Sequence, residues 1–508
     1  MKVSKIALAC ALAVAAMSAH AVPGIPVAPT NKLFIAGASG VDSFFKGVAA
    51  TAVGYVAGTP TTAGSGVYFQ TVDGNYYGYY GNSTNAATGV AVGQPLLILK
   101  RSAGGSAQGV GPVALSTAIG APDWTNLGTP ASLTNPNNNS YTIPNTALIN
   151  LVPDMGVSDV EPKLFTGINQ EFGVPALTSA QLASLTVKAW AQLAEGIVAT
   201  KAVPDTYVLS NNFMRGALGG KYQDWSSANA ADTSAMVICR RIEGSGTQAA
   251  FNSFFSSFPN TAAYNGYGNV LPSTTADSFG LDSAHAGTSA DPFIIDASAG
   301  FTVFEGSGSG DVRKCLQAAQ LGVDTGSLQG RDNKFYKLQF SAVGGPSKAI
   351  GVLSLDSYTQ VSPAVRATPV DGKGLATSNA DANGDWNFRT LNGNGTFNVA
   401  TQTITSATSS GIAPSRANLL TNYYDFTVEP TVQKRSTGNS ALVNTFFTYL
   451  DGKLGAPADM VVPNPNNTAP YAYVAVPSAT NIKGTTSPSN LIADLTREGN
   501  TTAPLHKN

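Results

Sequence analysis

Four short turns of small and polar residues, each following an apolar run, constrain the fold of this chain more than any other feature. They are residues 37–43, 101–106, 154–159 and 241–247. After the first turn, apolar residues recur at helical spacing from Val41 to Val53. Repeated strand–turn–helix units are typical of an α/β fold, in which such turns lie at the carboxyl ends of the strands, where ligands gather. The sequence therefore predicts an α/β fold with a ligand site built from these turns.

The stretch CRRIEGSGTQAAF, residues 239–251, indicates the kind of ligand. It places Arg241 before a Gly-Ser-Gly-Thr turn that leads into a helix-like pattern. The first turn of a helix has unpaired N–H groups and a partial positive charge, and glycine lets the backbone approach a ligand closely. Hydroxyl groups and one arginine add further donors, so this turn predicts a site for an anion.

Composition and the N-terminus limit the partners and the compartment. The chain has 508 residues, a formal net charge of -1 and only 12% charged residues, which disfavours nucleic acid and anionic membranes as partners. A basic start, an apolar run from Ile6 to Met17 and a small-residue site ending at Ala21 are typical of a signal peptide, residues 1–21, cleaved after Ala21. Cys10 leaves a lipoprotein as a minor alternative. No later run reaches the roughly 18 apolar residues of a membrane span, so we expect a periplasmic or secreted protein without a membrane span in its mature chain.

Few cysteines and histidines remain after such cleavage. Cys239 and Cys315 form either a disulfide, as an exported protein permits, or two buried thiols, and the sequence does not choose between them. The histidines are His285 and His506. Two histidines argue against a histidine-based catalytic set and against a histidine-rich metal site. We therefore expect no enzyme activity, no metal and no cofactor.

All four turns carry a recognisable motif, and the order of the motifs along the chain adds to it. The segments are Gly37-Ala-Ser-Gly40, either Ser102-Ala-Gly-Gly105 or Gly105-Ser-Ala107, Asp154-Met-Gly-Val-Ser-Asp159 and Arg241-Ile-Glu-Gly-Ser-Gly-Thr247. Together they resemble the ligand loops of the phosphate-binding proteins that serve ABC-type phosphate transporters (PstS-like). The Arg241 loop, similar to the family's Arg-x-Asp-Gly-Ser-Gly-Thr, is the most specific of them.

This resemblance implies a two-lobed type II periplasmic binding protein fold of the α/β class, with long loop and β inserts. The chain is expected to cross between lobes near 196–204 and to return near 349–355. Lobe 1 then comprises residues 31–198 with 350–455, lobe 2 comprises 199–349, and residues 456–508 form a Pro/Asn/Thr-rich tail, loose or lying along the surface.

The resemblance also implies a set of ligand-binding residues, with Arg241 pairing the anion because a guanidinium offers bidentate geometry. They are Arg241, Ser245, Gly246, Thr247, Asp159, Ser39, Gly40, Ser102 and Ser106.

Asp159 is the most informative member of this set. A carboxylate beside an anion is repulsive unless the ligand carries a proton, so Asp159 would accept a phosphate proton and reject sulfate. Its alternative roles are a helix cap or an ionic partner for Arg241.

The chain departs from the family's pattern in two of the turns. Val41 and Asp42 stand where the family has Thr-Phe, so that hydroxyl donor is missing, and Ser39 or Ser43 would have to replace it. Asp42 either faces the cleft or, as we expect, caps the following helix. Glu243 replaces an aspartate. These changes bear on the ligand rather than on the fold.

Several other segments have simpler interpretations. Periodicity predicts a helix from Ser179 to Leu193 and a strand over 196–200. Gly306–Gly310 is interpreted as a helix start, because it lacks the Gly-Lys-Ser/Thr ending of a nucleotide loop. Tyr76–Tyr80 is assigned to a hairpin or a surface loop, and aromatic cross-strand pairing is favoured over a carbohydrate or protein contact surface. Loop or β inserts are expected over residues 54–95, 120–148, 259–298 and 368–412.

The sequence thus predicts an exported, monomeric solute-binding protein that clamps inorganic phosphate or a similar oxyanion, with an ABC permease as its membrane partner. Two alternatives stay open: a secreted surface or adhesion protein on the same scaffold, and an exported phosphatase.

Overall fold

The computed structural model describes residues 25, 28–57, 66–127, 139–171, 174–256, 258, 284–357, 385–399, 402–404, 410–456, 472–479, 482–483 and 491–505. The predicted signal peptide and most of the inserts at 259–298 and 368–412 lie outside this part of the chain. No helix within it is long and apolar enough to cross a membrane.

The predicted α/β fold class is confirmed, because two large β-sheets and the helices packed on them make up the described chain. The strands are β1 Lys32–Gly37, β2 Val67–Thr71, β3 Tyr76–Asn82, β4 Pro95–Arg101, β5 Ile119–Pro122, β6 Ser140–Ile143, β7 Leu148–Leu151, β8 Met155–Ser158, β9 Leu185–Ala189, β10 Ala191–Thr200, β11 Val237–Arg241, β12 Phe293–Asp296, β13 Thr302–Gly306, β14 Leu328–Gln329, β15 Phe335–Gln339, β16 Ala349–Ser354, β17 Trp386–Arg389, β18 Thr396–Asn398, β19 Thr403–Ile404, β20 Thr427–Val428, β21 Thr431–Arg435 and β22 Tyr473–Ala475. The α-helices are α1 Asp42–Ala52, α2 Gly111–Leu115, α3 Ser179–Ala183, α4 Asn211–Leu218, α5 Gly246–Ser256, α6 Ser309–Leu321, α7 Arg416–Leu420 and α8 Ala441–Gly455.

The two large sheets share the arrangement of their central strands. The first sheet runs β6-β2-β3-β4-β1-β8-β21-β9, and the second runs β13-β11-β16-β10-β17-β18-β19, with β20 and β22 also pairing β10. In the first, β4, β1 and β8 are parallel and β21 is antiparallel to them. In the second, β13, β11 and β16 are parallel and β10 is antiparallel. Each sheet therefore has three parallel strands, followed by one antiparallel strand that lies where the chain passes between the sheets. This is the arrangement of a two-lobed type II binding fold.

The places where the chain changes sheets differ from the predicted ones. β9 ends at Ala189 in the first sheet and β10 begins at Ala191 in the second, so the chain crosses at Trp190. β16, which was predicted to be the return crossing, is an internal strand of the second sheet. The chain comes back through 427–431, where β20 pairs β10 and β21 pairs β8. We propose lobe boundaries at these two points, with residues 31–189 and 431–455 in lobe 1 and 191–404 in lobe 2.

The predicted helix from Ser179 to Leu193 is wrong beyond its first turn. Helix α3 ends at Ala183, and β9 and β10 follow. Every residue of β10 is buried, since the strand lies inside a sheet that is covered on both faces. The predicted strand over 196–200 lies within β10 and is confirmed, so the error covers β9 and only residues 191–193 of β10. β9 pairs with β21, a long-range contact that its local sequence does not indicate.

The C-terminal segment is not loose where the structure describes it. β22 pairs antiparallel with β10, joining Leu193 to Tyr473, and both residues are at most 1% exposed. Ile492 is fully buried as well. The predicted surface tail is therefore part of the core between the lobes, although its Pro- and Asn-rich flanks have the composition of a linker.

The tyrosine-rich segment is a buried hairpin, as predicted. β2 pairs β3 antiparallel, and the rings of Tyr68 and Tyr79 lie 4.8 Å apart. Tyr77 and Tyr79 are at most 2% exposed, so neither ring offers a contact surface for a carbohydrate or protein.

Candidate functional site

The candidate site lies where the carboxyl ends of the parallel strands of both sheets meet. Contacts between the two sets of turns hold it closed. Ala107 N donates to Gly244 O at 2.8 Å, and Gly104 N donates to Ser307 Oγ at 3.0 Å. The hydroxyls of Ser39 and Ser309 are 3.0 Å apart. Groups that are far apart in sequence therefore face one small, enclosed region.

Arg241, the last residue of β11, is 1% exposed and points into this region. Its Nη1 donates to Ser39 Oγ at 2.9 Å and to Ser309 Oγ at 3.1 Å. Its Nη2 and Nε donate to the carbonyl oxygens of Ser307 and Gly306, at 2.8 and 3.3 Å. Burial lowers the pKa of Arg241, and the negative charge of Asp159 opposes that effect. Hydroxyls and carbonyls thus orient the guanidinium, and no carboxylate among the described residues forms a direct ion pair with it.

The neighbouring Arg240 has a different role. It faces the other side of β11 and pairs with Glu305 at 2.8 Å. Glu243, which departs from the family's pattern, pairs with Arg331 at 2.6 Å and so does not face the site.

The N-terminus of α5 supplies the backbone donors of the second sheet. Ser245 and Thr247 are each 1% exposed, and Ser245 Oγ accepts from Gln248 N at 3.4 Å, as a capping residue does. Within the described chain, the amides of Gly246 and Thr247 have no hydrogen-bond acceptor. A Cβ on Gly246 would lie 2.4 Å from Ser106 Oγ, so only glycine allows this close approach of the two lobes.

Asp159 faces Arg241 from the first sheet. Its Oδ2 accepts from Ser106 Oγ at 3.3 Å and from Thr247 Oγ1 at 3.4 Å, one hydroxyl from each lobe. Its Oδ1 is buried and has no hydrogen-bond partner among the described residues. Burial raises the pKa of Asp159 to about 6, although Arg241 and the Ser106 hydrogen bond lower it. Asp159 is neither a helix cap nor a direct ionic partner of Arg241, so neither alternative role accounts for its position.

The first turn lies against both of these groups. Ser39 contacts Arg241, and a Cβ on Gly40 would lie 2.9 Å from Asp159 Oδ1. Nothing is described of the Ser43 side chain. Ser39 is therefore the serine of this turn whose hydroxyl the structure shows in contact with Arg241.

Ser102 is the one predicted residue that the structure assigns to a separate cluster. Its hydroxyl donates to both carboxylate oxygens of Asp42, at 2.9 and 2.7 Å. Asp42 also accepts from Tyr77 and pairs with the fully buried Lys100 at 3.4 Å. The expectation that Asp42 caps α1 is wrong, because the N-cap position is Val41 and no side chain caps the helix. Of the two serines that the resemblance allowed at this turn, Ser102 and Ser106, only Ser106 contacts Asp159 among the bonds described.

Sequence reasoning missed two groups of residues. Ser309 at the start of α6 contacts both Arg241 and Ser39, yet the Gly306–Gly310 stretch was interpreted only as a helix start, which it also is. The Ser-Gly-Ser-Gly spacing of this stretch resembles that of the other turns and could have suggested Ser309 as a site residue.

The second missed group is a layer of acids beneath the site. Glu195 on β10 is fully buried with both carboxyl oxygens unpartnered among the described residues. Burial and the neighbouring Asp159 and Asp356 raise its pKa well above the ordinary value. Asp356, just after β16, has a pKa raised by burial to about 8. No sequence motif marks these residues, since they come together only when the two sheets meet.

A disulfide joins Cys239 to Cys315, whose Cα atoms are 5.9 Å apart. Both residues are fully buried. The bond ties β11, which ends in Arg241, to α6, which begins at Ser309. Two of the elements that present polar groups to the site are thus covalently linked behind it.

No family model and no curated protein sequence matches the chain. Among solved structures, a putative phosphate ABC transporter substrate-binding protein with bound phosphate from Clostridium perfringens aligns with 83% of this chain and 93% of its own, at 11% identity and a TM-score of 0.37. A high-affinity periplasmic phosphate-binding protein bound with phosphate aligns with 88% of this chain and 91% of its own, at 14% identity and a TM-score of 0.38. An ABC-type phosphate transport receptor from Vibrio cholerae aligns with 82% of this chain and 93% of its own, at 11% identity and a TM-score of 0.34. At TM-scores this low, the evidence for the fold stays with the strand order described above.

Proposed function

We propose that this chain is an exported solute-binding protein that clamps inorganic phosphate between its two lobes and delivers it to an ABC-type permease. The proposal rests above all on one observation: Asp159 is buried with one carboxyl oxygen unpartnered, beside Arg241 and the first turn of α5. The argument has an attractive part and a selective part.

The attractive part is the set of donors. Arg241 contributes a buried guanidinium, the Gly246 and Thr247 amides lie at the positive end of an eleven-residue helix, and Ser39, Ser106 and Ser309 add hydroxyls. Donors of this type hold tetrahedral oxyanions at helix N-termini without a metal.

The selective part is Asp159. A carboxylate in this position repels a fully ionised anion, but it accepts a hydrogen bond from a ligand that still carries a proton. Phosphate carries one near neutral pH and sulfate does not. Asp159 would therefore make the site selective for phosphate through an unfavourable contact with its competitor.

The two lobes suit a clamp. Arg241 and the α5 amides belong to the second sheet and Asp159 to the first, so a hinge motion between the lobes would open and close the region between them. We propose no reaction. The Cys239–Cys315 disulfide agrees with export to an oxidising compartment.

Calorimetry on the purified mature protein tests this proposal, with phosphate and sulfate titrated separately near pH 7. We expect saturable heat with phosphate and none with sulfate. Equal binding of both anions would contradict the role of Asp159. If neither anion gives binding heat, the surface or adhesion protein remains as the alternative. Hydrolysis of a phosphomonoester by the purified protein would favour the phosphatase.

A further inference from the structure

A third wall of the site is formed by the end of β16, which the motif resemblance does not include. Ser354 is the last residue of β16 and is fully buried. A Cβ on Gly40 would lie 3.1 Å from Ser354 Oγ and 2.9 Å from the unpartnered Asp159 Oδ1. Both oxygens therefore face the same side of Gly40, where any side chain would press on them.

Two oxygens in this arrangement suit one hydroxyl of the ligand. A phosphate hydroxyl can donate its proton to Asp159 Oδ1 and accept a hydrogen bond on its oxygen from a second group. The Ser354 hydroxyl lies on the same side of Gly40 as Asp159 Oδ1 and can supply that second hydrogen bond. We propose that Ser354 is a specificity-determining ligand group, which donates to the hydroxyl oxygen of the bound phosphate while Asp159 accepts the proton of that hydroxyl. This inference rests on the proposed function.

The direction of the Ser354 hydroxyl is set by the residue it contacts. Ser354 Oγ donates to Asp356 Oδ1 at 2.6 Å, as it does when the carboxyl is ionised. If Asp356 is neutral it can donate to Ser354, which leaves the serine proton for the ligand. If Asp356 is ionised it takes that proton, and Ser354 turns a lone pair towards the anion. Asp356 thus acts as a positioning residue through Ser354.

The surroundings of Asp356 favour its neutral form near pH 7. It is 3% exposed, burial raises its pKa to about 8, and among the described residues named below the acids outnumber the cations. The titratable and charged groups that face it from the packed elements are Arg313 on α6, Asp159 after β8, Asp42 and Lys46 on α1, Glu195 on β10 and Tyr473 on β22.

The C-terminal segment completes this wall. Tyr473 Oη donates to Gly40 O at 2.9 Å and also lies within hydrogen-bonding reach of Asp356. It therefore connects the first ligand turn to the pair of Ser354 and Asp356. This contact gives the buried C-terminal strand a place in the site as well as in the core.

The test is phosphate calorimetry on Ser354→Ala, Ser354→Thr and Asp356→Asn. Ser354→Ala should weaken phosphate binding roughly ten- to hundredfold, the loss expected for a hydrogen bond to a charged ligand. Ser354→Thr keeps the hydroxyl and should bind within about threefold of wild type. The matched control is Ser83→Ala, which removes another buried hydroxyl whose partners are Thr88 and the Val90 carbonyl; it should leave binding unchanged.

Asp356→Asn supplies a second, independent measurement. The amide can donate to Ser354 at every pH, so the variant's affinity for phosphate should not change through ionisation of residue 356. Between about pH 7 and pH 9 the affinity of wild type should fall by about tenfold relative to the variant, because only the wild-type carboxyl ionises. Taking the ratio at each pH cancels the ionisation of phosphate itself.

The outcomes separate this inference from the proposed function. If wild type does not bind phosphate, the proposed function fails. If wild type binds but Ser354→Ala, folded by its thermal transition, binds equally well, only the role of Ser354 is overturned. Parallel pH profiles for wild type and Asp356→Asn would overturn the role of Asp356.

Discussion

The two lobes present opposite chemistry to the region between them, although their sheets share the arrangement of their central strands. Lobe 2 contributes Arg241 and the free amides at the start of α5, all of which attract an anion. Lobe 1 contributes Asp159, which repels one, and the hydroxyls of Ser39 and Ser106. The difference teaches that attraction and selectivity are separable here: lobe 2 would hold any oxyanion, and lobe 1 would decide which one stays.

The largest effect should come from removing the charge of lobe 2. Arg241→Ala should weaken phosphate binding at least roughly a hundredfold, since it deletes a buried cation and leaves Asp159 uncompensated. Calorimetry measures the loss. The matched control is Arg435→Ala, because Arg435 also donates to backbone carbonyls, those of Val113 and Pro153, but away from the site. Retained phosphate binding in Arg241→Ala would mean that lobe 2 does not supply the attraction.

The next effect concerns how each lobe holds its groups in place. In lobe 2 a disulfide between residues 76 positions apart links β11 to α6, whereas lobe 1 has no cysteine among its described residues. Replacing both cysteines by serine should cost about 2–5 kcal/mol in the free energy of unfolding. Chemical denaturation of the variant and of wild type measures it. A midpoint equal to that of wild type would show that packing alone holds Arg241 and Ser309 together.

A smaller effect should follow from changing lobe 1 alone. Asp159→Asn keeps the shape of the side chain and removes its charge, so sulfate should no longer be repelled. We expect the ratio of phosphate to sulfate affinity to fall roughly ten- to hundredfold, mostly through a gain in sulfate binding. Competition calorimetry gives the ratio. The assignment of selectivity to lobe 1 fails if the variant still excludes sulfate.

Sequence patterns predicted the fold class and the polar turns of the site. Arg241 and the α5 turn form a local motif in which a short run of residues carries both the bend and the donors, whereas Asp159 and Ser106 were implied by the resemblance of their turns to the family's ligand loops. The strand predicted over 196–200 was also indicated by its sequence and lies within β10.

What the sequence could not supply depends on contacts over long separations. β9 was taken for the continuation of a helix, because its pairing with β21, far along the chain, leaves no local signal. Tyr473 lies 433 residues from its acceptor Gly40, in a stretch whose composition suggests a linker. Ser354 and Asp356 become informative only when β16 is placed beside β10, which no local signal indicates.

The smallest predicted effect again tests the lobe 1 carboxyl, this time without ligand. Burial raises the pKa of Asp159 from its ordinary value of 3.8 to about 6 in the folded protein. A carboxyl with a raised folded pKa binds more protons folded than unfolded between these values, so its contribution to stability grows as pH falls from about 6 towards about 4. Between pH 6 and pH 5, wild type should gain about 1 kcal/mol relative to Asp159→Asn. Thermal unfolding of both proteins at each pH measures the difference, in which other titrating groups cancel. If the two curves stay parallel over this range, Asp159 is hydrated rather than buried, and the contrast between an attractive lobe and a selective lobe loses its electrostatic basis.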